Sequence, residues 1–297
     1  MFYDLNVPYN PEDAELPRTI GNLVELGYRT IALTVTLTGK IPPDHVCPIP
    51  SNPFPQYPEV RFLTRCLLVC EDTSQIHQRP TLTTSYDILS IRPLNDKVLQ
   101  QIVGATEYDL ISVDISQRLS FLVKHKAAGT AFRRGLKWEL CYNPTAENAE
   151  SRRYIIQNSQ QIIRALRDAK RGGIIITSGA TKSVAVRAPH EAINFGVVLG
   201  LKPEIARLAI EKECKEVVRM AEARRRSWRG AVEAIDTIGF AESILKKERE
   251  ENNKRKAEEE AADDSRKKVR KTNGQQLDEQ PSKRQQKKAN KNPKQRS

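Results

Sequence analysis

The strongest constraint on the fold of this chain is an alternation of short apolar runs with stretches of helical periodicity, sustained from the first residues to Thr177. Phe2–Asn6, Thr30–Thr36, Arg61–Glu71, Asp87–Arg92, Asp109–Asp114, Lys137–Tyr142 and Gly173–Thr177 read as strands, most of them rich in β-branched and aliphatic residues. Pro11–Leu26, Asn95–Ala105, Ser151–Lys170, Pro189–Leu199 and Pro203–Arg226 read as helices. Pro11 suits a first helical turn, Gly27 a C′ position and Asn95 a cap. The helix from Ser151 carries an apolar stripe at Ile155, Ile156, Ser159, Ile162, Ile163 and Leu166, opposite Arg164, Arg167 and Arg171. Strand and helix alternating without two-residue hairpin signals select a parallel sheet. The expected fold is α/β, a TIM-barrel-like (β/α) barrel of seven to eight strands, for which 297 residues suffice because such barrels take about 250. An open doubly wound sheet is the runner-up. It is weakened because Val7-Pro8-Tyr9-Asn10 follows the first strand where a Gly-rich dinucleotide loop would sit.

Two segments depart from the alternation. Residues 39–58 hold seven prolines, at 42, 43, 48, 50, 53, 55 and 58, a density that forbids helix interiors and ladder pairing and predicts a surface insertion. After Leu245 come 18 of the 49 Lys/Arg and 10 of the 37 Asp/Glu, so this end carries +8 of the net +12 and the first 245 residues only +4. With Phe240 the last aromatic, residues 246–297 have too little to bury to offset the entropy of ordering. The expected division is a barrel domain over 1–245 and a disordered tail over 246–297. Five cysteines (Cys47, Cys66, Cys70, Cys141, Cys214), an odd number with no CxxC pair, point to a reducing compartment and buried thiols. No basic leader opens the chain and no apolar run approaches a membrane span, so a soluble intracellular protein with no membrane partner is expected.

In a barrel of this kind, function lies at the C-terminal ends of the strands. Those ends carry Asp4 and Asn6, Thr34 and Thr36, Glu71 and Asp72, Arg92, Asp114, Glu139, and Thr177 with Ser178. The four histidines, at 45, 77, 125 and 190, all lie outside the strands, and no two are spaced to clasp one ion. Neither a GxSxG elbow nor a P-loop is present. No metal, cofactor or catalytic residue is expected.

Charge points elsewhere. Lys124, His125 and Lys126 precede a loop ending in Arg133 and Arg134; Lys182 and Arg187 follow the turn at 177–180; Arg224, Arg225, Arg226 and Arg229 surround Trp228. Arg and Lys grip phosphate oxygens and a neighbouring aromatic stacks an unpaired base, so nucleic acid is the expected partner. Lys124, His125, Lys126, Arg133, Arg134, Lys182 and Arg187 are the candidate RNA contacts. In the tail, Lys254-Arg255-Lys256, an acidic spacer and Arg266-Lys267-Lys268-Val269-Arg270-Lys271 form a two-part nuclear localisation pattern, open also to use as an RNA-binding arm.

Several of these segments occur together, in order, in a known family. Tyr3-Asp4-Leu5-Asn6-Val7-Pro8, Asp87–Pro93, Asp109-Leu110-Ile111, Gly135–Tyr142, Arg152-Arg153-Tyr154, and Ile174–Ala180 with Arg187 resemble the thirty-kilodalton protein subunit of nuclear ribonuclease P and RNase MRP. The resemblance runs to about residue 220 and excludes the Pro-rich insertion and the tail. It implies a TIM-barrel-like fold related to metal-dependent phosphoesterases of the polymerase-and-histidinol-phosphatase type. Where those enzymes carry a His-x-His pair, this chain has Asp4 and Asn6; their late Asp-x-His element is replaced by Ser178-Gly179-Ala180. The resemblance further implies a role without catalysis of its own, supporting an RNA that cleaves the 5′ leader of precursor tRNA, beside a small ferredoxin-like protein subunit, and ribosomal RNA processing in the MRP particle. Implied partners are that RNA, the other subunits and, indirectly, precursor tRNA; the implied compartment is the nucleus, and within it the nucleolus. Two competitors stand beside this reading: a metal phosphoesterase rebuilt from Asp4, Glu71, Asp114 and Glu139, and a protein-interaction module whose RNA contacts are incidental.

Overall fold

The structure is a computed structural model that describes residues 1–227 except 40, 43, 78, 105–107, 144–148 and 167–171. The expected localisation clusters from Lys254 to Lys271, the disordered tail, Trp228, Arg229, Arg167 and Arg171 lie outside the described residues.

Seven strands form one sheet in chain order, and every neighbouring pair is parallel: β1 (Phe2–Pro8), β2 (Tyr28–Thr38), β3 (Arg61–Cys70), β4 (Ile88–Pro93), β5 (Leu110–Ser112), β6 (Lys137–Cys141) and β7 (Ile174–Thr177). All seven expected strands are present. The sheet curls until its edges meet, where the Gly179 N–H donates to the Asn6 carbonyl at 2.9 Å and the Ser178 N–H to Asp4 Oδ1 at 3.1 Å. The fold is the expected TIM-like barrel, and the open sheet is excluded.

Alternation sorts the strand residues into two sets. Cys66, Leu68, Leu89, Ile91, Ile111, Trp138, Leu140, Ile174 and Ile176 face outward into the main core. They meet α3 (Asp96–Gly104), α4 (His125–Arg133), α5 (Ala149–Ala165), α6 (Pro189–Val198) and α7 (Pro203–Ile210). Asn95 caps α3, its Oδ1 accepting the Val98 N–H at 2.9 Å. The stripe of α5 is buried at Ile155, Ser159 and Ile162, and Leu166 just beyond it is buried as well.

Five local expectations are corrected. The first helix, α1, spans Leu16–Glu25 with Pro17 rather than Pro11 in its first turn. A helix, α2 (Arg79–Ser85), stands where none was expected, and residues 125–133, read as a loop, are helix α4. The Pro-rich segment is not merely a surface insertion. Ile49 and Phe54, with Val60 just beyond the segment, are buried against Leu16, Ile20 and Leu23 of α1 and Ile31 and Leu33 of β2, so this segment covers the sheet as a helix does elsewhere.

The helix expected over Pro203–Arg226 is two helices, α7 and α8 (Lys212–Ser227), broken at Glu211. The break lets α8 lie across the N-terminal ends of the strands. Its Cys214, Val217, Val218 and Ala221, at i, i+3, i+4 and i+7, pack on the inward-facing Tyr3, Leu5, Ala32, Leu63, Ile88, Leu110 and Ile175. Around this plug runs a ring of ion pairs to residues at the strand starts. Lys137 reaches Glu213 and Glu216 at 2.8 and 2.9 Å, Arg224 reaches Asp109 at 2.8 Å, and Arg61 pairs with Glu222 and Arg225 with Asp87. Gly172, at φ +106°, is required here: a Cβ would lie 2.1 Å from Glu213 Oε1.

Barrel mouth and candidate nucleic-acid interface

Above that apolar layer, the inward positions of β3, β4, β6 and β7 are polar and buried. Arg65 is wholly enclosed, and four of its five guanidinium N–H groups donate to the atoms that follow. Nη1 and Nη2 each donate to a Glu139 carboxylate oxygen at 2.6 Å, Nη1 also to the Leu5 carbonyl at 2.6 Å, and Nε to Ser90 Oγ at 2.9 Å. Thr177 Oγ1 donates to Glu139 Oε1 at 2.8 Å. Burial alone would raise the Glu139 carboxyl, but the guanidinium beside it holds it below its ordinary value. A bidentate, charge-assisted pair with further hydrogen bonds to its guanidinium is the form in which a buried ion pair is tolerated.

Asp4 and Asn6 form the seam between β1 and β7. Asp4 Oδ1 accepts the Ser178 and Asn6 N–H groups at 3.1 and 3.2 Å, while Asp4 Oδ2 is buried with no partner among the described residues. Burial pushes the Asp4 carboxyl up to about 6. Asn6 Nδ2 donates to Cys141 Sγ at 3.3 Å. Asp114 stands apart in a turn, accepting from Ser116 and Gln117, and Glu71 is exposed. Among the described residues no three His, Cys, Asp or Glu side chains converge to hold a metal ion. The donor set does not fit a divalent centre: among the described residues Glu139 is already paired with a guanidinium, Asp4 holds the Ser178 and Asn6 N–H groups, Asp114 is tied into its own turn and Glu71 is exposed.

The candidate RNA contacts divide between two places. On α4, Lys124, Lys126 and Arg133 are exposed, Lys124 lying 3.7 Å from Asp96. His125 and Arg134 are committed to helix ends: His125 Nδ1 pairs with the Ala165 carbonyl of α5 at 2.9 Å, and Arg134 Nη1 with the Val103 carbonyl of α3 at 2.7 Å. Lys182 and Arg187 are exposed on the segment after β7, whose short turn at 183–185 packs on α1. The Arg187 N–H donates to Tyr142 Oη and its carbonyl accepts from Tyr28 Oη. Arg224 and Arg225 are not a nucleic-acid cluster: their head groups are held by Asp109 and Asp87 in the ring below the barrel.

Sequence reasoning passed over α5 as part of this surface. Helix α4 packs against α5, and α5 exposes Arg153 and Arg164 as α4 exposes Lys126 and Arg133. Glu150 is the one acid on either helix. Spacings of 126/133 and 153/164 would have placed each pair on one helical face, had 125–133 been read as helix.

Comparison with known proteins adds a family. The model described as RNase P subunit p30 matches residues 1–226. The chain is 34% identical over 232 residues to a Schizosaccharomyces pombe protein named "Probable ribonuclease P protein subunit 3", covering 77% of this chain and 97% of that one. It is 27% identical over 206 residues to the Saccharomyces cerevisiae "Ribonuclease P/MRP protein subunit RPP1", covering 63% of this chain and 69% of the relative. Among solved structures, a chain of an archaeal ribonuclease P bound to mature tRNA superposes with a TM-score of 0.57 at 13% identity, over 74% of this chain and 91% of that one, which supports the fold.

Proposed function

This chain belongs to the RNase P subunit p30 family, and from that membership we propose that it is a protein subunit of ribonuclease P and RNase MRP that binds RNA and does no chemistry itself. The observation that carries this reading is where the molecule keeps its charge. Inside the barrel the Arg65 guanidinium sits on Glu139, so that buried carboxylate is already neutralised. Outside, α4 and α5 present Lys126, Arg133, Arg153 and Arg164 to solvent. Cations on the outer wall suit the phosphate backbone of a folded RNA, and that interaction sets orientation rather than sequence choice.

In this reading the catalytic step, removal of the 5′ leader from precursor tRNA, belongs to the RNA of the particle, and ribosomal RNA processing to the same subunit in the MRP particle. A small ferredoxin-like subunit is the expected neighbour. Lys254, Arg255, Lys256, Arg266, Lys267, Lys268, Arg270 and Lys271 direct the chain to the nucleus and nucleolus. Lys124, Lys182 and Arg187 extend the RNA surface, whereas His125 and Arg134 support it by holding the ends of α5 and α3. The experiment is RNA affinity of the purified chain as a function of salt. A steep fall of affinity with salt, and no phosphodiester hydrolysis with Mg²⁺ or Mn²⁺, is expected. Salt-independent binding, or turnover abolished in Asp4→Ala, would overturn the reading.

A further inference from the structure

A cleft opens between the C-terminal ends of β4 and β5, and nothing described so far uses it. It encloses about 220 Å³, below the roughly 300–1,000 Å³ of pockets that take drug-sized ligands. Its apolar side is made by Leu94, Leu119 and Phe121, and its polar side by Arg92, Arg118 and Asp114. Leu94 is 42% exposed, too much apolar surface to be ordinary core. Arg92 Nε is buried without a hydrogen-bond partner among the described residues, an arrangement that costs free energy unless an acceptor arrives. Arg118 is exposed and enters no ion pair among the described residues.

The cleft is held open by structure, not by chance. Asp114 accepts from Ser116 Oγ and Gln117 Nε2, Asn158 Nδ2 donates to the Ile115 and Gln117 carbonyls, and Ser120 Oγ donates to the Leu94 carbonyl at 2.6 Å. Although burial works against it, these bonds keep the Asp114 carboxyl below its ordinary value, so it stays charged opposite Arg92. A carboxylate beside two guanidiniums makes the floor mixed in sign, which disfavours a bare anion and favours a ligand with a hydrogen-bonding edge and a separate negative group.

We propose that this cleft takes one unpaired nucleotide of RNA, its base lying on Phe121 and Leu119 and its phosphate on Arg118 and Arg92. The inference rests on the RNA-binding reading and adds a second mode to it. The α4–α5 face meets duplex backbone, whereas the cleft needs a base out of its stack, which only single strands, loops and bulges offer. A volume of about 220 Å³ suits one ring.

The test compares single-stranded and duplex oligoribonucleotides on the full chain and its variants, with 4-thiouridine in the single strand for photo-crosslinking. Phe121→Leu keeps the apolar packing and removes the aromatic face; it should weaken single-strand binding about fivefold or more and leave duplex binding unchanged. Arg118→Ala, at an exposed position, should lower the single-strand salt slope by about 0.7. The crosslink should fall within 113–121. If single-strand affinity is unchanged in both variants, or the crosslink maps elsewhere, the cleft is no nucleotide site, although the RNA-binding reading survives. If instead the variants lose only the association of a protein subunit, the cleft is a peptide site and the proposal is overturned. If neither RNA form binds the wild-type chain, the broader reading fails as well.

Discussion

Arg65 and Glu139, 74 positions apart in the chain, meet inside the barrel through two hydrogen bonds of 2.6 Å with neither side chain exposed. A pair so enclosed is costly to break from one side, because the remaining charge is buried without a counter-ion. Glu139→Gln is therefore expected to destabilise the chain by about 3–5 kcal/mol, read by chemical denaturation. The double variant Arg65→Met/Glu139→Leu should recover most of that stability. The carboxyl is held low in the folded state, so its contribution is present above the unfolded pKa and is lost as pH falls. A neutral single variant would show that the pair contributes nothing.

Asp4 behaves in the opposite way. Its folded value, about 6, lies above the ordinary 3.8, so the folded state favours the protonated acid. Stability from this group is fully present below about pH 4 and is lost as pH rises to about 6. Asp4→Asn keeps the acceptor used by Ser178 and removes the buried charge. It is expected to stabilise the chain at pH 7.5 by about 3 kcal/mol and to give no advantage at pH 4. Equal effects at both pH values would refute the buried-charge account.

The ring beneath the barrel gives a contrast between buried and surface ion pairs. Asp109 is nearly enclosed; burial raises its carboxyl, and Arg224 offsets only part of that rise. Arg224→Met should lower stability by several kcal/mol. Arg18→Ala, removing the exposed pair with Glu15, should leave the melting temperature unchanged within error. Comparable losses in the two variants would mean that α8 does not close the barrel as described.

On the outer wall, Lys126→Glu with Arg133→Glu removes two exposed cations and leaves the bonds of His125 and Arg134 to the neighbouring helix ends in place. The slope of log affinity against log salt for duplex RNA should fall by about 2, at about 0.9 for each phosphate no longer neutralised. Including Arg134 would confound the result, because its guanidinium holds the Val103 carbonyl. An unchanged slope would move the interface off α4.

How much of this was legible in the sequence follows from range. The strands were, because short apolar runs rich in β-branched residues are local signals. Helix α4 was hidden by Gly129 and Thr130, which lower helix propensity, and α2 by Pro80 and three threonines; tertiary packing decides both. The break at Glu211 was invisible because the periodicity of α8 continues that of α7 closely enough to read as one helix. Arg65 offered a signal that went unused: an arginine in the middle of an apolar strand, at the inward register shared by Leu63 and Leu67. Its partner lies too far along the chain for spacing to reveal. Arg224 and Arg225 misled for a related reason, since a count of charges does not say which are paired, and Asp87 and Asp109 are more than a hundred residues away.

The most direct test of the central claim is affinity purification of the full chain followed by assay of precursor-tRNA cleavage before and after RNA is digested away. The account predicts one structured RNA in the purified material, accurate 5′ leader removal, and disappearance of that activity with the RNA. Cleavage that survives complete removal of RNA and is abolished in Asp4→Ala would contradict it.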